Sequence, residues 1–185
     1  EIIRGGQNVL YGNQALSGVV KITTRRGEGD GLRVSGAIGS DGYISGGISY
    51  GGDAGDGFYQ AGASGFDYGG FRTNSASSAS TVYGSAGWYV GDTDTVVLRG
   101  ALGTSRTEYP GALTHAEAQR DPTQSSTPGE YSEDESGQAT LLYETERDWG
   151  AARINAGVNY RDRFSTLGRG NVENTQRGFS LAPRA

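Results

Sequence analysis

Antiparallel β-sheet is the fold class this sequence predicts, on three observations. The 185 residues include 33 Gly and only 4 Pro, with 11 Tyr dominating the aromatics, and Gly is costly in helix interiors. Apolar and polar residues alternate with period two. The clearest case is 152–161, where Ala152, Ile154, Ala156, Val158 and Tyr160 share one face and Arg153, Asn155, Gly157, Asn159 and Arg161 the other. The connections between such runs are short at one end of the strands and longer at the other.

Taken in order, residues 1–25 differ in texture from the rest of the chain, with few acids and the string "GVVKITT" at 18–24. That string predicts a short buried strand whose neighbours would precede the sequence. "RRGEGDG" at 25–31 supplies Gly and charge and reads as a link. The first alternating run sets Leu32, Val34 and Ile38 opposite Arg33 and Ser35, and the next, 43–51, carries Ile44, Ile48 and Tyr50. Residues 58–68 are aromatic-rich with two similar faces; 80–90 presents Val82, Ala86, Trp88 and Val90. Val96, Leu98 and Leu102 then lie opposite Arg99, residues 137–146 present Ala139, Leu141 and Tyr143, and after 152–161 an eighth strand starts near Arg177.

With the first strand running upward, the upper links are 40–42, 69–79, 106–136 and 162–176, and the lower ones 52–57, 91–94 and 147–150. Two architectures fit this pattern. A soluble antiparallel sandwich alternates in the same way. A transmembrane barrel adds strands of about ten residues, lopsided loops and aromatic girdles, a role open to Tyr50, Trp88, Tyr143 and Tyr160. In a barrel, Arg153 and Arg161 would face the lumen, because facing them to lipid costs roughly 2 to 4 kcal/mol each near the midplane.

Composition excludes several classes. The net charge is −5, and every basic residue except Lys21 is Arg. No basic stripe is present to release phosphate counterions, so nucleic acid is not an expected partner. Absence of Cys removes disulfide and thiolate-metal frameworks, no apolar run approaches the length of a membrane helix, and the missing initiator Met leads to the expectation of further sequence upstream. "GISYG" at 47–51 matches a nucleophile-elbow string, but Ser49 sits in an alternating run, whereas the chemistry needs a strand-to-helix turn. "DAGDG" at 53–57 reads as a solvated turn, since it lacks calcium-loop acids. "EYSEDES" at 130–136 reads as a solvated acidic loop with minor scope for cations at lipopolysaccharide. No enzyme activity, cofactor or metal is expected.

The opening segment carries a resemblance. Arg4-Gly5, Leu10-Tyr11-Gly12, Ala15, Gly18-Val19-Val20, Ile22 and Thr24, followed by a charged Gly-rich link into alternating strands, resemble the end of the plug domain of TonB-dependent outer-membrane receptors. The resemblance implies a plug end over 1–27 and, over 28–185, the first seven or eight strands of an incomplete transmembrane antiparallel β-barrel of the plugged-lumen class. It implies a monomeric barrel in the outer membrane of a Gram-negative cell, among lipid and lipopolysaccharide. The implied function is uptake of a ferric siderophore or similar bulky chelate powered by TonB, with cobalamin or pyrroloquinoline quinone as alternative solutes. By the same resemblance Arg4 would seat the plug against wall glutamates. A passive eight-stranded barrel is the rival within the membrane, and a secreted β-solenoid, which requires a repeat period absent here, is the rival outside it.

A narrower resemblance lies at 109–124, "YPGALTHAEAQRDPTQ", similar to a Pro-Gly-x-Leu-Thr loop segment in a branch that includes ferric dicitrate-like receptors. Locally, Pro110-Gly111 reads as a turn and "HAEAQR" as one or two helical turns. Tyr109, His115, Arg120 and Tyr131 are the ligand-contact candidates of the long loop.

Overall fold

The computed structural model describes residues 2–4, 18–20, 31–148, 150–168 and 170–184, the first two segments as backbone. The chain is all-β, with eight antiparallel strands in one sheet and a single short helix among the described residues. β1 (Ile2–Arg4) and β2 (Gly18–Val20) make a separate antiparallel pair, with Ile3 opposite Val19. One partner of the Gly18–Val20 strand lies within this chain, where Ile2 and Ile3 supply a β-branched segment suited to pair with Val19 and Val20. Gly5, Leu10, Tyr11 and Gly12, which carry the resemblance to a plug end, lie outside the described residues.

The large sheet comprises β3 (Gly31–Ile38), β4 (Ile44–Asp53), β5 (Gly57–Tyr68), β6 (Ser77–Val90), β7 (Asp94–Glu108), β8 (Tyr131–Arg147), β9 (Gly150–Leu167) and β10 (Gly170–Arg184). Each strand pairs with the next in sequence, without a crossover. β3 and β10 form the two edges, and they are not paired with one another. Strand length grows from 8 residues in β3 to 18 in β9.

Turn chemistry fits the hairpins. Between β3 and β4, Asp41 and Gly42 both take positive φ, 54° and 74°, and Tyr43 N–H donates to Ser40 O at 3.0 Å; two left-handed residues in succession are what the tightest hairpin turns require. Asp53 ends β4, and the hairpin to β5 closes by reciprocal backbone bonds between Ala54 and Gly57. Ser49 lies inside β4, as its alternating context indicates.

Two connections differ from the sequence reading. Residues 131–136, expected in an acidic loop, form the first stretch of β8, and most of the upper link expected over 162–176 is strand, since β9 runs to Leu167 and β10 begins at Gly170. The upper links are thus short, medium, long and short. The cause is visible in the pairs that line these strand ends. Arg106 meets Glu133 at 2.5 Å, while Arg161 and Arg163 both donate to Asp134, at 2.7 and 2.8 Å. Cross-strand charge pairs support a ladder as apolar pairs do, yet they erase the hydrophobic alternation by which a strand is recognised.

Registers assign the two faces, since directly opposed residues point the same way. One row runs Val34, Ile48, Ala63, Val82, Leu102, Gly137 and Tyr160; another runs Tyr59, Ala86, Leu98, Leu141, Ala156 and Leu181. Their face is apolar and exposed, with Val34 at 68%, Leu102 at 69% and Phe179 at 74%. A sandwich would bury this face against a second sheet, but all eight strands lie in one. The three buried apolar side chains, Phe58, Val97 and Leu142, sit together in one row on the opposite, polar face. In that row Phe58 stands over Gly87, where a Cβ would collide with the ring.

Candidate functional site

Two regions carry side chains arranged for more than sheet formation: the upper loops and the polar face. The loop 109–130 folds on itself and onto the loop 69–76 through two residues. Arg72 donates from Nη1 to Gly111 O at 2.7 Å, from Nη2 to Pro110 O at 3.1 Å, and from Nε and Nη2 to Gln124 O at 3.0 and 2.9 Å. Its guanidinium fork suits several carbonyls at once. Asn74, left-handed at φ 58° as Asn tolerates, directs its amide N–H groups to Tyr109 O, Thr127 O and Glu130 O and accepts from Gly129 N–H. A backbone bond from Thr73 N–H to Thr123 O at 2.7 Å completes the clasp.

Within the long loop, α1 (His115–Arg120) begins at a capping box: Thr114 Oγ1 accepts from Glu117 N–H, and the Glu117 carboxylate accepts from Thr114 N–H at 2.8 Å. The Thr114 backbone N–H and then its hydroxyl hold the Glu117 carboxyl below its ordinary pKa. Asp121, just past the helix, is also held low, by the Thr123 hydroxyl and then the Thr123 N–H. Gln124 Nε2 closes the loop by donating to Glu117 O and Asp121 O. Gly111 takes φ 70°, and a Cβ there would strike Ser126 and Thr127.

The sequence-derived ligand candidates are not brought together. Tyr109 ends at the polar face, its hydroxyl 2.8 Å from the buried Ser132 Oγ. His115 opens α1 and its Nε2 lies 2.9 Å from Gln119 Nε2, while Arg120 closes the helix in the solvent. Tyr131 belongs to the other face of the sheet, where Arg106 lies over its ring at 4.0 Å and Phe164 packs at 6.1 Å. Sequence reasoning missed Arg72 and Asn74, which hold backbone carbonyls and so leave no residue-to-residue pattern.

The polar face is a ladder of charges and amides. Arg153 pairs with Glu144, and Asp134 bridges Arg161 and Arg163. Mid-sheet, Gln60, Tyr83, Ser85, Arg99, Gln138 and Thr140 line a cleft of 480 Å³. At the lower end of the apolar face, Asp94 gathers Tyr143, Thr145 and Arg147. Among the described residues no group of His, Cys, Asp and Glu is arranged to hold a metal, and no helix is long and apolar enough to cross a membrane. The chain matches no family model and none of the curated proteins with which it was compared.

Proposed function

We propose that the eight-stranded sheet is wall from an outer-membrane β-barrel and that the protein is a TonB-dependent receptor taking up a ferric siderophore or a similar bulky chelate. The observation that carries this reading is the exposed apolar face of a single sheet whose other face is polar. From Ala152 to Tyr160 the apolar stretch of β9 advances about 26 Å at roughly 3.3 Å per residue, or about 20 Å along a membrane normal at a tilt of about 40°. That is close to the height of an outer-membrane hydrocarbon band. Tyr50, Trp88, Tyr143 and Tyr160 fall on that face, and charged residues such as Glu133 and Arg147 lie beyond it.

The open edges β3 and β10 call for further strands, since unpaired backbone in hydrocarbon costs several kcal/mol per group. A wall of the larger plugged class supplies them. In this reading residues 1–27 are the end of the plug, and Arg4, Gly5, Leu10, Tyr11, Gly12, Gly18 and Val19 are its motif. The clasped upper loops, with Tyr109, His115 and Arg120 among their exposed groups, capture the solute, and TonB acting on the plug drives its passage without bond chemistry. The test uses the intact gene product. The reading expects it in the outer-membrane fraction with heat-modifiable gel mobility, and iron accumulation from ferric siderophores that disappears when TonB is deleted. Uptake independent of TonB would indicate a passive barrel, and recovery in the soluble fraction would refute the membrane reading.

A further inference from the structure

Charge is segregated between the faces of the sheet. The polar face carries Arg33, Arg99, Arg153, Arg161, Arg163 and Arg184 against Asp53, Asp134, Glu144 and Glu146, an excess of cations in a chain of net charge −5. Arg153, Arg161 and Arg163 pair with Glu144 and Asp134. Arg99, like Arg33, has no hydrogen bond, ion pair or ring contact among the described residues. Arg99 is the one that lines a cleft. It stands in the middle of the sheet, opposite Ser85 on one side and Thr140 on the other. The nearest carboxylates along β8, Glu144 and Asp134, are already engaged by Arg153 and by the Arg161 and Arg163 pair.

Around Arg99 the cleft supplies the amides of Gln60 and Gln138 and the hydroxyls of Tyr83, Ser85 and Thr140, and no acid. Guanidinium cannot release its proton, so the charge persists, and a low-dielectric wall behind it, formed by Leu98 and its neighbours, focuses its field into the cleft. Amides and hydroxyls donate to an oxyanion without neutralising the arginine. We infer that this cleft is a binding site for a carboxylate group, held bidentately by Arg99 and flanked by Gln60 and Gln138. The carboxylate comes either from a free polycarboxylate solute or from a segment of the chain seated against the wall. The inference rests on the reading of the polar face as a lumen surface.

The experiment uses the intact protein in detergent, with citrate as the free probe and the thermal midpoint of heat-modifiable mobility as the readout. A free-solute site predicts that citrate raises the midpoint of the parent in a concentration-dependent way. Arg99→Gln abolishes that rise, Arg99→Lys retains part of it, and Arg33→Gln, on β3 outside the cleft, leaves it unchanged. A seated chain carboxylate predicts instead that citrate does nothing, that Arg99→Gln lowers the midpoint without any ligand, and that added NaCl narrows the gap between parent and variant; a purely steric role for the side chain would not respond to salt. If citrate has no effect and Arg99→Gln matches the parent, or differs from it by an amount independent of salt, the inference is overturned. Outer-membrane fractionation of the same preparations reads the membrane assignment separately, so a correctly located barrel with an inert Arg99 would sink the site alone.

Discussion

Replacing Arg72 with Ala should open the long upper loop without unfolding the sheet. The side chain makes four hydrogen bonds to three carbonyls, at 2.7 to 3.1 Å, spanning sequence separations of 38 to 52 residues. At about 1 kcal/mol net for each part-exposed bond, less the roughly 2 kcal/mol of rotamer freedom the arginine regains, the loss comes to about 2 kcal/mol. A change of that size raises the open population about 30-fold. The assay is amide hydrogen exchange on the intact protein. Thr73 N–H, bonded to Thr123 O, and Ser126 N–H, bonded to Pro110 O, report the clasp, whereas Val97, fully buried in β7, reports the sheet. Exchange at Thr73 and Ser126 should quicken by one to two orders of magnitude with Val97 unchanged. Arg72→Lys should fall between, because an ammonium cannot reach three carbonyls with a planar fork. Unaltered exchange at Thr73 and Ser126, or equal acceleration at Val97, would refute the clasp.

Three other outcomes are expected. Glu117 and Asp121 both ionise more readily folded than unfolded, so their contribution is complete above the unfolded value of about 4 and is lost as pH falls through the lower folded values; amide exchange in α1 should rise over that acid window, and Glu117→Gln should remove most of the pH dependence there. If the apolar face is the lipid face of a barrel, as proposed, Leu98→Arg should cost about 2 to 4 kcal/mol and reduce assembly into the membrane, whereas Thr81→Arg on the polar face should assemble normally, both scored by heat-modifiable mobility. Gly62→Ala would drive its Cβ to 2.6 Å from Tyr83 Oη and 2.9 Å from Ile48 O, so its thermal midpoint should fall by an amount equivalent to about 1 to 3 kcal/mol; Gly46→Ala, whose nearest neighbour is Ser35 O at 3.9 Å, should be close to neutral.

How much of the fold and the site is legible in the sequence depends on what each residue touches. The centres of the strands are readable because Ile154, Val158 and their counterparts alternate by hydrophobicity, the property that sequence periodicity measures. The strand ends are not, since Glu133, Asp134, Arg161 and Arg163 continue the ladder with charge, and a string of charges looks like a loop. The helix at His115 is readable from its short polar run, and its capping box follows the Thr-x-x-Glu spacing. The clasp is hidden because Arg72 and Asn74 recognise backbone, which every sequence supplies equally. Arg99 is visible as the polar residue opposite Val96, Leu98 and Leu102, but its lack of a carboxylate partner among the described residues emerges only from register.

The nearest-neighbour order of the sheet also has a kinetic meaning. Each strand from β3 to β9 pairs with its immediate successor, so each contact that builds the sheet closes one hairpin and never waits for a distant segment. Such a ladder grows by zippering, and loop closure costs little at each step. The longest closure between consecutive strands of the sheet, across 109–130, is the one fastened by Arg72 and Asn74, so a side-chain clasp sits on the step with the greatest loop-closure entropy.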